Sequence, residues 1–269
     1  MKASIKYLIV FILLEAILVA CSTVPVSGRR QFNIIPDSEM LSMSYLQYDQ
    51  FLKENKLSTN KAQAEMVKRI GYNIEGAVTD YLTGLDYVDL LDGYEWEFNL
   101  VEDANVNAWC MPGGKVVVYT GILPVTKDEN GLAVVMGHEI AHAIAEHGSE
   151  RMSQELIRQM GGIALSVALK DKPQETRAMW LAAYGMGSEV GIMLPYSRMH
   201  ESEADHMGLI FMAMAGYDPR EAPVFWERMS ANGGPKPPEW LSTHPSGETR
   251  ISNLNAWMPE AMEYYNKSK

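Results

Sequence analysis

Residues 137–142 read Gly137-His138-Glu139-Ile140-Ala141-His142. On a helix, His138 and His142 lie one turn apart and only about 40° apart in azimuth. Both imidazoles then reach one ion from a single face. Glu139 is rotated about 100° from His138, close enough to meet a water beside that ion. The chemistry uses each part. Zinc held by three protein ligands keeps a fourth position for water and lowers its pKa towards ~7. A carboxylate takes the proton and later hands it to the leaving amine. The small residues Gly137, Ala141, Ala143 and Ala145 suit a helix packed tightly behind a sheet. A purely structural zinc site would leave Glu139 beside it without a purpose.

The third ligand comes from elsewhere in the chain. Glu146-His147-Gly148 does not supply a further histidine at metal-binding spacing. The best candidate is Glu201 in His200-Glu201-Ser202-Glu203-Ala204-Asp205. Glu201 and Asp205 share a helix face at i, i+4, so Glu201 can bind zinc while Asp205 accepts a proton from a ligating histidine and fixes its tautomer. Glu203 is about 200° round the helix from Glu201 and is expected to point away. His200 and His206 compete, but neither shares the Glu201 face. His147 reads as a packing or capping residue.

Outward from the motif, the chain divides by period. Asp37 and residues 58–78 mark two helices before the motif. Tyr94, Trp96, Phe98 and Leu100 alternate with Glu95, Glu97 and Asn99, as in a half-buried strand. Two further strand-like runs, 106–111 and 115–119, flank the turn residues Pro112-Gly113-Gly114. The expected fold is α+β: a helix-dominated, zincin-like domain with a small antiparallel sheet beside the motif helix. After Asp128, a capping residue, the chain reads as mostly helix, including 197–215 and a last helix over 246–257.

The formal net charge is −11 and the pI about 5.1. An acidic surface excludes sequence-independent nucleic-acid binding, which needs a basic face. At the N-terminus Lys2 and Lys6 precede an apolar run over 7–20, broken only by Glu15, and then Cys21. This is the layout of a signal peptide, too short to span a bilayer comfortably. Leu18-Val19-Ala20-Cys21 resembles the lipobox of bacterial lipoproteins. The expected organisation is a lipoprotein signal peptide over 1–20, a tether over 21–36 with lipid on Cys21, and one zinc metallopeptidase domain over 37–269. Two or three acyl chains hold a protein firmly on a membrane. Ser22 after Cys21 resembles the outer-membrane default, so the expected place is a bacterial outer membrane, facing the periplasm. With Cys21 lipidated, Cys110 has no intrachain partner and reads as a small buried apolar residue.

His138-Glu139-Ile140-Ala141-His142 followed by Glu201-Ser202-Glu203-Ala204-Asp205 resembles the gluzincin metallopeptidase superfamily that includes HtpX and the CaaX prenyl proteases. The likeness extends to Asn107-Ala108, Pro112-Gly113-Gly114 and Thr243-His244-Pro245 with Arg250. Val24-Pro25-Val26-Ser27-Gly28-Arg29-Arg30 and Leu194-Pro195-Tyr196-Ser197-Arg198 resemble the membrane-tethered subgroup, which includes periplasmic lipoprotein peptidases and a mitochondrial inner-membrane quality-control peptidase. The resemblance implies one Zn2+ per chain on His138, His142 and Glu201, with Glu139 as base. It implies a site role for His244, as an oxyanion donor or a fourth, inhibitory zinc ligand. Arg250 is expected to pair with an acidic residue near the metal such as Asp205. Asn107 and Ala108 lie on the expected substrate-binding edge, where an extended peptide adds as a strand.

The zinc chemistry of these residues points to a metalloendopeptidase, and the resemblance implies that it acts on misfolded or membrane-associated proteins in envelope quality control. A second class fits the same metal ligands: a zinc-binding chaperone or assembly factor with latent proteolysis. Partner proteins beyond protein or peptide substrates are not legible.

Overall fold

The computed structural model describes residues 21–231 and 247–269. Its centre is the motif helix. Asp128 caps that helix by accepting a hydrogen bond from the Gly131 amide at 3.0 Å. The helix runs Glu129–Ile144 and is buried on nearly every face, as its small and apolar residues allow.

Around it the elements follow in chain order. Helices α1 (Asp37–Glu54) and α2 (Lys61–Gly84) precede strands β3 (Glu97–Val101), β4 (Ala108–Met111) and β5 (Lys115–Tyr119). Strands β1 (Cys21–Thr23) and β2 (Arg30–Phe32) come before both helices. A one-turn helix, α3 (Leu123–Thr126), leads into the motif helix, α4. Then come α5 (His147–Ala168), α6 (Gln174–Ser188), α7 (Leu194–Met214), α8 (Glu221–Ala231) and α9 (Gly247–Lys267). A π-helical segment, Glu189–Met193, joins α6 to α7. The α+β, helix-dominated class holds. The last helix runs ten residues past the expected end at 257.

The main sheet has the order β3-β5-β4. The antiparallel sheet expected from the sequence is in fact mixed. β4 and β5 form a hairpin across Pro112-Gly113-Gly114, with Gly113 and Gly114 at φ 86° and 80°. Only residues without a Cβ adopt such angles freely. β5 then inserts between its predecessors, so β3 meets it parallel, Phe98 opposite Val116. Val116, Val117 and Val118 are wholly buried, as a central strand requires. The outer edge of β3 is partly covered, since Ser58 donates to Leu100 and Glu102 to Lys56. β4 is the opposite edge strand and packs against α4.

The stretch 21–36, expected as a tether, is bonded into the fold as far as Ile34. β1 (Cys21–Thr23) and β2 (Arg30–Phe32) pair antiparallel, Ser22 opposite Gln31. Val24 joins the main core with no exposed surface. Its Pro and Gly residues shape the hairpin turn, with Gly28 at φ 66°.

The tightest helix contact joins α4 to α7. A Cβ on Gly137 would stand 2.8 Å from the Gly208 carbonyl oxygen, and one on Gly208 would stand 2.7 Å from the His138 amide nitrogen. Both obstacles are backbone and cannot swing aside. Gly208→Ala is therefore expected to lower stability by ~1–3 kcal/mol through overpacking. Urea unfolding of the full chain measures it, and an unchanged midpoint would show that the two helices do not depend on this contact.

Candidate metal centre

The contact between α4 and α7 sets His138 and His142 against Glu201 and Asp205. The His138 and His142 Nε2 atoms are 3.1 Å apart. Glu201 places Oε2 3.5 Å from His138 Nε2 and Oε1 3.4 Å from His142 Nε2. Donors of a tetrahedral zinc ion at ordinary bond lengths stand about 3.3 Å apart, so the three donors already have the spacing that zinc needs. Among the described residues this is the one His/Cys/Asp/Glu group that converges closely enough to hold an ion.

Asp205 Oδ1 lies 2.9 Å from His138 Nδ1. With Nδ1–H donated to that carboxylate, Nε2 keeps its lone pair for a metal. Burial works against a charge on His138, yet the bonds to Asp205 and Glu201 win and lift its pKa to about 9. The pocket therefore favours positive charge at this point. Burial drives His142 the other way, to about 3, which keeps its ring neutral. Glu139 is half-buried. Burial, against the pull of the His138 charge, raises its carboxyl to about 7, where a group can both take and return a proton.

Arg250 lies against Asp205, with Nε 2.5 Å from Oδ2 and Nη2 2.7 Å from Oδ1, and Nη2 also reaches Glu201 at 3.2 Å. Its guanidinium stacks on Trp226, 3.5 Å from the ring centroid. It thus orients Glu201 and Asp205 from behind. Trp226 went unnoticed in the sequence, where nothing separates it from other apolar helix residues.

Two sequence readings change. The sequence reads His147 as a packing or capping residue. The motif helix ends at Ile144, Glu146 takes a left-handed conformation (φ 55°), and α5 starts afresh at His147. That break swings His147 back until its Nδ1 is 2.9 Å from His142 Nδ1. Glu203 is turned from the three donors but does not point to solvent. It is buried and 3.0 Å from His147 Nε2. Asn107 is exposed and precedes β4, and Ala108 is buried at its start. His244 lies outside the described residues.

Residues 86–258 match the model of peptidase family M48. The chain belongs to that family. Its members are metal-dependent hydrolases of peptide bonds, and the His138–His142–Glu201 cluster is compatible with zinc. The chain is 33% identical over 243 residues to the mitochondrial metalloendopeptidase OMA1 of Schizosaccharomyces pombe, covering 88% of this chain and 66% of that one. It is also 33% identical to the mitochondrial metalloendopeptidase OMA1 of Bos taurus, covering 89% of this chain and 46% of that one. The beta-barrel assembly-enhancing protease of Escherichia coli is 30% identical over 59% of this chain and 33% of its own length. The chain thus spans about two thirds or less of these relatives.

The mitochondrial relatives overturn the location read from Cys21 and Ser22, a bacterial outer membrane facing the periplasm. A basic start and a short apolar run are compatible with more than one membrane system, so the leader was too weak a signal to decide it.

Glu201→Gln is expected to weaken zinc at least about 10-fold, because the anionic donor is lost and Arg250 is left facing a neutral amide. Competition with a chelator on the full chain measures it. Unchanged affinity would remove Glu201 from the ligand set.

Proposed function

We propose that the chain is a zinc metalloendopeptidase that cleaves misfolded or membrane-associated proteins in quality control. His138, His142 and Glu201 hold one zinc ion, and Glu139 is the general base. The observation that carries this reading is the donor triangle with a carboxyl of raised pKa beside it. Zinc, when bound, supplies Lewis-acid polarisation of the scissile carbonyl and of the attacking water. The chain's own residues do the rest. Glu139 takes the proton of the water and returns it to the departing amine. Asp205 and Arg250 keep His138 and Glu201 aimed. β4, an edge strand beside α4, offers main-chain groups to an extended substrate near Asn107 and Ala108. His244 completes the site as oxyanion donor or resting-state ligand. A zinc-binding chaperone or assembly factor with latent proteolysis would keep its role in Glu139→Gln, whereas a peptidase would lose it.

Among the described residues no helix is long and apolar enough to cross a membrane. Attachment to a membrane through lipid on Cys21 belongs to the proposal. Labelling with a fatty-acid analogue is expected to mark the wild-type chain and not Cys21→Ala. Equal labelling of both would remove Cys21 from this role.

Glu139→Gln separates chemistry from metal binding. Zinc content is expected to stay near one per chain while casein hydrolysis falls by about 10²–10⁴. His138→Ala is expected to lose both. Wild-type hydrolysis by zinc-loaded Glu139→Gln would contradict the mechanism.

A further inference from the structure

His142 and His138 are supported differently. His138 donates directly to Asp205. His142 meets another imidazole, and behind it a line of polar groups runs to the N-terminal hairpin. His147 Nδ1 is 2.9 Å from His142 Nδ1, and His147 Nε2 is 3.0 Å from Glu203 Oε2. Glu203 accepts from the Ser27 hydroxyl and from Arg29 Nε at 3.1 Å. Arg29 also donates to both oxygens of Glu150, at 3.0 and 2.8 Å. Glu150 in turn meets His200 Nε2 at 2.8 Å, and the His200 ring stacks on His147 at 4.3 Å. His147, Glu150, His200 and Glu203 are all buried.

The proton count along this line has one solution when His142 Nε2 faces a cation. Nε2 must keep its lone pair, so Nδ1 carries the hydrogen and donates it to His147 Nδ1. His147 Nδ1 is then an acceptor, so its Nε2 carries the hydrogen and donates to Glu203. Glu203, a carboxylate, accepts again from Ser27 and Arg29. Each donor finds an acceptor and each link fixes the next. Burying so many polar groups is costly unless all are paired. An apolar cluster could fill the same space, but it would not select a tautomer.

We infer that His147, Glu203 and Arg29 are positioning residues for His142, which makes the hairpin of residues 21–32 a working part of the metal centre. This rests on the reading of His142 as a zinc ligand through Nε2. It assigns a use to the Ser27–Arg29 turn, and it makes metal affinity sensitive to the docking of the hairpin. A chain whose hairpin is displaced loses the anchor of one of its two ligating imidazoles while keeping the other.

The test uses the full chain and two readouts. The first is zinc affinity by competition with a chromophoric chelator, for the wild type and for His147→Phe, Glu203→Gln and Arg29→Ala. The unfolding midpoint of each metal-free protein is recorded alongside. The first two variants are expected to bind zinc about 10–100-fold more weakly, and Arg29→Ala several-fold more weakly. Folded variants with wild-type affinity would overturn the inference. The second readout needs no variant. Nitrogen NMR of the histidine rings in the zinc-loaded wild type is expected to show hydrogen on His142 Nδ1 and on His147 Nε2. Hydrogen on His147 Nδ1 would overturn the line. A wild-type chain that binds no zinc would instead defeat the metal reading itself, so the two failures are distinguishable.

Discussion

Two glycines facing each other, Gly137 and Gly208, let the backbones of α4 and α7 approach to a distance that no side chain would permit. The rest of the centre follows from that approach. Both imidazoles leave α4 within one turn, and the Glu201 and Asp205 carboxylates leave α7 within one turn of each other. With the helices one methyl group further apart, Glu201 could not reach both Nε2 atoms at once. The sheet and the outer helices serve this contact. They bury α4 so completely that it cannot shift along α7 without disrupting the core.

The burial has an electrostatic consequence. Two imidazoles, Glu201, Asp205 and Arg250 share a volume shielded from solvent by the surrounding helices. Such a set is costly unless every charge is met. Arg250 meets the Glu201 and Asp205 carboxylates and stacks on Trp226. A divalent cation between the two imidazoles and Glu201 satisfies three lone pairs together. Glu139, beside the triangle with its carboxyl raised to about 7, is the group left to handle protons.

The convergence of His138, His142 and Glu201 was legible in outline because helical spacing puts His138 with His142 and Glu201 with Asp205. β3 was legible from alternation and the hairpin strands from short runs flanking Pro112-Gly113-Gly114, and β5 falls at 115–119 as read. Strand order was not legible. Alternation tells which face is buried, but not that β5 would insert between β3 and β4 and leave β3 parallel to it. Glu203 and His147 were misplaced for a related reason. A helical wheel shows which way a residue points from its own axis, but not what arrives on the other side. Arg29 arrives there from a segment whose Pro and Gly content looked like a linker. The α4–α5 break at Glu146 carries no Pro or Gly to announce it. Its left-handed conformation is held by tertiary bonds, with Gln31 and Asn33 donating to its carboxylate at 2.9 and 2.6 Å.

The central claim is that zinc sits on two imidazoles and one carboxylate supplied by α4 and α7. X-ray absorption at the zinc edge of the metal-loaded full chain tests it most directly. The account predicts nitrogen and oxygen scatterers at about 2.0–2.2 Å, with the outer-shell signature of two imidazole rings and no sulfur. A sulfur shell at about 2.3 Å, which would bring in Cys110, or the signature of a single imidazole, would contradict it.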